Sequence, residues 1–276
     1  MKNFFALSIC LLWSSTTLAQ SVGVQAVPAQ TSIETVKKES PYAVSYWGML
    51  TGPSIGNPSF YQSDSISGNV DHTSPDALSN QVKLEYKLNP NISVGLVVNW
   101  LMQTDADTPA LMRESGLRFA DKSIAKFGAF NWSGDFRFLL PTSTRAHNGG
   151  VTQLLQTSQV IAGDVGKWTL GVAQFHTLRL FNQTGGGKKL DLYVSPFANY
   201  NVNDVTSATF AIESYPQYFT GVSSEQGWNP APYDVSIGAA FNITKDINVN
   251  PVLITYPDHF NINTTALAAY FTAKLL

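Results

Sequence analysis

Ionisable side chains at every second position are the feature of this sequence best able to do chemistry. Lys83, Glu85 and Lys87 alternate with Leu84 and Tyr86. In a β-strand successive side chains point to opposite faces, so this spacing places charges on one face and apolar groups on the other. Charges of both signs on one face could line an aqueous channel and set its selectivity. The predicted pore-lining residues are Lys83, Glu85, Lys87, Asp135, Arg137, Asp191, Glu213 and Asp234.

The clearest alternation runs over residues 128–140, GAFNWSGDFRFLL. Its four aromatic side chains and Leu140 occupy even positions, whereas Asp135 and Arg137 occupy odd positions. Strands of roughly ten residues that alternate in this way, separated by turns, are typical of transmembrane β-barrels. We therefore expect the apolar face to contact lipid and the charged face to line the interior.

The same pattern recurs along the chain and predicts the fold class: an all-β, antiparallel transmembrane β-barrel of about 12 strands over residues 42–276. Short turns such as Asn89-Pro90-Asn91 alternate with long polar connections, and in such barrels the short turns are periplasmic. This alternation is the reason for including a weakly patterned strand at 114–123. Residues 151–162 are ambiguous in parity, followed by a predicted turn at 163–166. Pro196 and Pro251 each remove a ladder donor and predict a bulge or a locally unpaired edge.

The N-terminus has the pattern of an export signal. Lys2 precedes a short apolar stretch at residues 4–13, and Thr17-Leu18-Ala19 forms a small-residue cleavage site. We predict a signal peptide at 1–19 and a periplasmic extension at 20–41. Cys10, the only cysteine, lies within the signal peptide, so we expect no disulfide and no cysteine metal site in the mature chain.

The composition excludes several classes of protein. Charged residues make up 13 % of the chain and the net charge is -2, which gives no indication of a nucleic-acid partner. Beyond the N-terminus no apolar run of about 18 residues exists, which argues against a helical membrane protein. The mean hydropathy of -0.03 suits a barrel, because half of each strand faces a polar interior.

The histidines give only weak evidence for catalysis. Outer-membrane phospholipases use twelve-stranded barrels with a Ser-His pair on the lipid-facing surface, and His147-Asn148 is similar to such a site, but no serine stands in the matching neighbourhood. His72, His147, His176 and His259 show no metal-ligand spacing. We expect neither an enzyme nor a bound cofactor.

Several segments resemble a known family. They are the hairpin Lys87-Leu88-Asn89-Pro90-Asn91, the strand Leu117-Arg118-Phe119 that leads to 128–141, the hairpin 193–207 and the ending 268–276. They are similar to small outer-membrane barrels of predatory bacteria, of the PopA type. The resemblance implies a porin-like, oligomeric barrel. The chain departs from the usual barrel-insertion signal, which ends in Phe or Trp, because it ends in Lys274-Leu275-Leu276.

The sequence therefore favours an outer-membrane channel for passive diffusion of small polar solutes. The alternative is a closed oligomeric barrel with a structural, lipid-organising or adhesive role, because long charged side chains can pair across a narrow lumen and close it. A lipid hydrolase is favoured less. The expected partners are outer-membrane lipid, the barrel assembly machinery and further copies of the chain. Gln153, Gln156 and Gln159 interrupt an apolar face and suggest a subunit contact.

Aromatic residues near strand ends predict interfacial girdles: Trp47, Trp100, Trp168, Tyr200, Trp228, Tyr233 and Tyr256.

Overall fold

The structure is a computed structural model. It describes residues 40–56, 77–103, 110–182, 187–220, 227–229, 233–255, 260, 262 and 265–276. The predicted signal peptide, residues 20–39 of the predicted extension and Tyr256 lie outside the described residues.

The described chain forms fifteen strands and one short helix. The strands are β1 Tyr42–Ser54, β2 Ala77–Lys87, β3 Ile92–Gln103, β4 Ala110–Met112, β5 Ser115–Phe127, β6 Phe130–Leu140, β7 Val151–Val165, β8 Trp168–Phe181, β9 Gly187–Asn201, β10 Thr206–Ser214, β11 Gln217–Thr220, β12 Gly227–Asn229, β13 Tyr233–Asn242, β14 Ile247–Thr255 and β15 Ala266–Lys274. The helix, α1, spans Thr144–Asn148. No helix in these ranges is long and apolar enough to cross a membrane.

Twelve of the strands close into one antiparallel barrel. Their order is β1-β2-β3-β5-β6-β7-β8-β9-β10-β13-β14-β15, and β15 pairs with β1, with Phe271 opposite Gly48. Because the barrel is closed, none of these twelve strands has an unpaired edge. A membrane-spanning sheet must be closed in this way, since lipid offers backbone N–H and C=O groups no hydrogen bonds. The predicted twelve-stranded barrel is confirmed.

The three remaining strands lie in connections that the sequence suggested were loops. β4 pairs with β3, while β11 pairs with both β12 and β9. The connection between β10 and β13 therefore contains a small hairpin, and the connection between β6 and β7 contains α1.

The short turns lie at the same end of the barrel as the start of β1 and the end of β15. Tyr42, at the start of β1, is opposite Tyr86 near the end of β2, beside the Asn89 turn. Gly128 and Gly166, with φ of 62° and 64°, occupy two-residue turns that require a positive φ. The turn after β7 is shorter than the sequence suggested, because Gly163 and Asp164 still pair with β8.

The two strand prolines interrupt one ladder each without changing its register. Pro196 pairs with Val172 of β8, but the β9–β10 ladder breaks at Ser195–Pro196 and resumes at Val194. Pro251 likewise interrupts the β13–β14 ladder between Gly238 and Phe241. The prediction of a locally unpaired edge is confirmed, since proline has no N–H to donate.

The weakly patterned strands are present, with irregular registers. β5 pairs with β6 and shifts register between Asp121 and Ala125. In β7 the shift lies between Val151 and Gln153. The pattern of this strand is ambiguous because apolar residues occupy both faces: Leu154 and Val160 have the inward parity, whereas Leu155 and Ile161 have the outward parity.

The outer surface of the barrel is apolar. Large hydrophobic side chains with the outward parity are exposed on every side, among them Leu84, Leu96, Leu117, Phe136, Ile161, Val194, Phe210, Ile237, Leu253 and Leu267. A soluble protein rarely exposes so large an apolar area. A closed barrel with this surface is an outer-membrane protein, because the apolar belt needs hydrocarbon around it.

The interior is less uniformly polar than the alternation suggests. One buried apolar cluster contains Tyr193, Phe197 and Tyr215, and another contains Val97, Leu139 and Leu154. Trp47, which was predicted to belong to an interfacial girdle, packs instead against the interior cluster around Met49 and Tyr270. That prediction is wrong because Trp47 has the inward parity of β1.

Candidate functional site

Asp135 on β6 lies at the centre of an ion-pair network inside the barrel. Its carboxylate accepts a hydrogen bond from Arg118 Nε at 2.6 Å and two from Arg137, Nε at 2.9 Å and Nη2 at 3.1 Å. Arg118, on β5, also binds the Glu85 carboxylate on β2. The alternation of each strand aims these side chains at the lumen, and antiparallel pairing places Arg118 directly opposite Arg137.

The network extends through neutral groups on both sides. Ser93 Oγ donates to Glu85 Oε1 at 2.8 Å. On the other side Arg137 Nη1 donates to Gln156 Oε1 at 3.1 Å, and Gln156 Nε2 donates to Thr177 Oγ1 at 3.2 Å. Six strands, from β2 to β8, thereby share one hydrogen-bonded polar layer, which satisfies buried charges that would otherwise be costly.

A smaller ion-pair group joins β8 and β9 nearer the long loops. Arg179 Nη1 binds Asp191 Oδ2, and Lys188 Nζ lies 3.4 Å from Asp191 Oδ1.

The opposite wall carries two carboxylates among tyrosines. Glu213 on β10 and Asp234 on β13 are direct register partners with inward, buried side chains. The Tyr215 hydroxyl donates to Glu213 Oε2, and the rings of Tyr193 and Tyr215 are 5.0 Å apart. Three barrel strands separate this wall from the Arg118–Arg137 wall in one direction and five in the other, so arginines and carboxylates lie on opposite sides of the lumen.

All eight predicted pore-lining residues have the inward parity of their strands. The inner face of β2 carries Lys83, Glu85 and Lys87. The other five lie on the inner faces of β6, β9, β10 and β13: Asp135, Arg137, Asp191, Glu213 and Asp234. Their role in conduction stays a prediction. Sequence reasoning missed Arg118, Arg179 and Gln156 as lumen groups, although Arg118 alternates with Leu117 and Phe119 and could have been found by that signal.

The lumen is densely filled at mid-height. Arg137 is only 2 % exposed and Asp135 3 %. Small and apolar inward residues on the other strands, such as Ser158, Ala173 and Val252, are equally inaccessible. In this state the side chains leave little room for a solute between the two walls.

A polar patch interrupts the lipid-facing surface of β7 and β8. Thr157 is opposite His176 and Gln159 is opposite Gln174, near the middle of both strands. Gln159 shares the outward parity of Phe136 and Ile161 yet is only 5 % exposed. Gln156, predicted to share this face with Gln153 and Gln159, points inward to Arg137, because it has the opposite parity.

Aromatic pairs mark the short-turn end of the barrel. Trp168 and Tyr200 have ring centroids 5.0 Å apart, and Tyr42 and Tyr86 5.5 Å apart. Lys167 Nζ lies 5.9 Å from the Tyr200 ring centroid. Such rings suit the boundary between lipid and water.

Two of the four histidines, His147 and His176, are among the described residues, and they lie on different elements. His147 belongs to α1, where its backbone N–H donates to the Ser143 carbonyl at 3.1 Å, whereas His176 lies on the outer face of β8. Among the residues described, no group of three or more His, Cys, Asp or Glu side chains could hold a metal ion.

No protein-family model and no curated protein matches the chain. Solved structures do: an outer membrane channel from Pseudomonas putida F1 is similar over 88 % of this chain and 100 % of that one, with a TM-score of 0.51 and 10 % identity. The NanC porin covers 85 % and 100 % (TM-score 0.48, 9 % identity). Outer membrane phospholipase A from Escherichia coli covers 89 % and 95 % (TM-score 0.43, 13 % identity). At these identities the likeness concerns the barrel fold, and the finer resemblance to PopA-type barrels stays a prediction.

Proposed function

We propose that this barrel is a porin-like channel for passive diffusion of small polar solutes across the outer membrane. The observation that supports this function best is the layer of mixed charges on the inner wall, centred on Arg118, Asp135 and Arg137. Fixed charges of both signs replace part of the hydration of a passing polar solute. The likeness to an outer membrane channel is consistent with this function.

The path for solutes runs between the Arg118–Arg137 wall and the Glu213–Asp234 wall. Because Arg137 and Asp135 are almost fully buried, conduction requires their side chains to move aside. The long Arg118 and Arg137 side chains can do so without a change in the backbone. The narrow passage would admit only small solutes, with weak selectivity from the mixed charges.

The same burial favours a second function, a closed barrel with a structural, lipid-organising or adhesive role. In that case the ion pairs stabilise the barrel, and the long loops together with contacts between subunits carry the function. We propose neither a catalytic role nor a cofactor in either case. Outer-membrane lipid, the barrel assembly machinery and other copies of the chain are the proposed partners.

Single-channel conductance in a planar bilayer distinguishes the two functions. The refolded wild-type chain should give ohmic current steps, and Arg137→Ala should enlarge the steps and shift their preference toward cations. Lys167→Ala is the matched control, since it removes one positive charge from an exposed turn and should leave the steps unchanged. Folded protein that gives no steps in either form would refute the channel and support the closed barrel.

A further inference from the structure

A small cavity, lined by six polar residues and by Phe210, Ala211 and Val252, lies inside the barrel on the side away from the arginines. Its volume is about 10 Å³, measured as the space open to the centre of a water-sized sphere, which is room for about one water molecule or one small ion. The polar residues that line it come from β9, β10, β13, β14 and β15: Asn199, Thr209, Glu213, Ser236, Asn250 and Tyr270.

Each of these six side chains carries an oxygen, and none carries a positive charge. One is a carboxylate, three are hydroxyls and two are amides. Thr209 Oγ1 donates to Asn250 Oδ1 at 3.3 Å, which ties β10 to β14 across the cavity. Carboxylate, amide and hydroxyl oxygens are the ligands of hard cations such as Ca²⁺.

Asn199 gives independent evidence that something binds here. Its side chain is only 2 % exposed, and its Oδ1 accepts no hydrogen bond from any group in the described part of the chain. An amide oxygen buried without a donor costs about 1–3 kcal/mol. A bound cation or water in the cavity would remove that cost.

The charge around the cavity favours a cation over a water molecule. Glu213 lines the cavity, and Asp234 is its register partner on β13 and is only 1 % exposed. Two carboxylates held side by side at low dielectric repel each other, and a divalent cation relieves that repulsion.

We propose that this cavity is a binding site for one Ca²⁺ ion, with Glu213 and Asn199 as principal ligands. Thr209, Ser236, Asn250 and Tyr270 supply neutral oxygens around it. The ion would join β9, β10, β13, β14 and β15 on the wall that faces the arginines. The proposal goes beyond the channel function, since the site can bind whether or not the lumen conducts.

Tyrosine-sensitised terbium luminescence tests the site directly. Tb³⁺ shares the preference of Ca²⁺ for oxygen ligands, and Tyr270 in the lining, with Tyr193 and Tyr215 nearby, can transfer excitation to it. Wild-type protein refolded with Tb³⁺ should luminesce, and added Ca²⁺ should compete the signal away. Glu213→Gln should weaken binding about tenfold or more, because it removes the charged ligand.

Asp191→Asn is the matched control, because it removes a lumen carboxylate from the same strand as Asn199 and should leave the luminescence unchanged. If Glu213→Gln does not fold, Asn199→Ser provides a milder loss of a ligand and should weaken binding. The amount of Ca²⁺ retained per barrel after gel filtration gives a second measure, expected near one. No sensitised signal, an equal signal in Glu213→Gln, or no retained Ca²⁺ would show that the cavity holds only water and would overturn the proposal.

Discussion

At the residue scale, Asp135 provides the negative charge that pairs with both arginines of the Arg118–Arg137 wall. It accepts hydrogen bonds from two guanidinium groups, those of Arg118 and Arg137, and its side chain is fully buried. A buried ion pair need not stabilise a fold relative to apolar residues, but the loss of one member leaves charges buried and unpaired. Asp135 is therefore the residue on which this part of the interior depends most.

Asp135→Asn keeps the shape of the side chain and removes its charge, so it should destabilise the barrel by about 3–5 kcal/mol. Urea unfolding of the protein refolded into lipid vesicles measures the change. The side chains of the Arg179–Asp191 ion pair are each 16 % exposed, so Asp191→Asn should lower the free energy of unfolding clearly less than Asp135→Asn does. Equal losses in the two variants would contradict the central role of Asp135.

Gly128 gives a second prediction at this scale. Its φ is 62° and a Cβ there would meet nothing within 4 Å, so a substitution would strain only the backbone. Gly128→Val should lower the free energy of unfolding by about 1–2 kcal/mol, whereas Gly128→Asn should lower it less because Asn tolerates this backbone conformation. The same urea titration compares them, and a Val variant as stable as the Asn variant would be inconsistent with a turn that needs the left-handed region.

At the element scale, β7 and β8 form a hairpin with a polar patch on its outer face. Thr157, Gln159, Gln174 and His176 lie near the middle of the strands, where the surrounding hydrocarbon offers no hydrogen bonds. Each of these side chains can both donate and accept, so the patch can pair with the same patch on a second copy. This hairpin is the proposed subunit contact.

Gln174→Leu combined with His176→Leu should shift the protein toward monomers in mild detergent, because it replaces polar contacts between subunits with groups that lipid solvates equally well. Chemical cross-linking and light scattering measure the distribution. Val194→Leu, on the apolar outer face of β9, is the control and should not change it. A wild-type protein that is already monomeric would remove the basis for this contact.

At the scale of the whole molecule, stability depends on closure. β15 pairs with both β14 and β1, and the C-terminal Leu275 and Leu276 also bond to Val44 through their backbones. Without β15, two strand edges would face lipid with unpaired backbone groups, which lipid does not tolerate.

A chain truncated before Ala266 should therefore fail to form a barrel, as judged by the loss of strand signal in circular dichroism and by complete digestion with protease. A chain that begins at Ser40 contains every described strand and should fold. If the truncated chain gave a protease-resistant core in vesicles, closure by β15 would not be essential.

The local alternation in the sequence was sufficient to predict the barrel, the strand number and the inward side of all eight charged residues, because a period of two fixes which face a side chain takes. It was ambiguous where apolar residues occupy both faces of a strand, as in β7, and it failed where an inward aromatic such as Trp47 resembles an interfacial one. The β11–β12 hairpin was also missed, since its strands are too short to show a period.

Sequence by itself determined the class of fold and the sorting of residues between lipid and lumen, since both follow from neighbours along one strand. Only the tertiary structure decided which lumen groups meet. The bonds from Asp135 to Arg118, from Arg137 to Gln156 and from Thr209 to Asn250 join residues on different strands. Those three contacts depend on the register between strands, and the residues of the Thr209–Asn250 bond are 41 positions apart in the chain. Closure of the barrel joins residues still more distant in sequence, since Val44 bonds to Leu276.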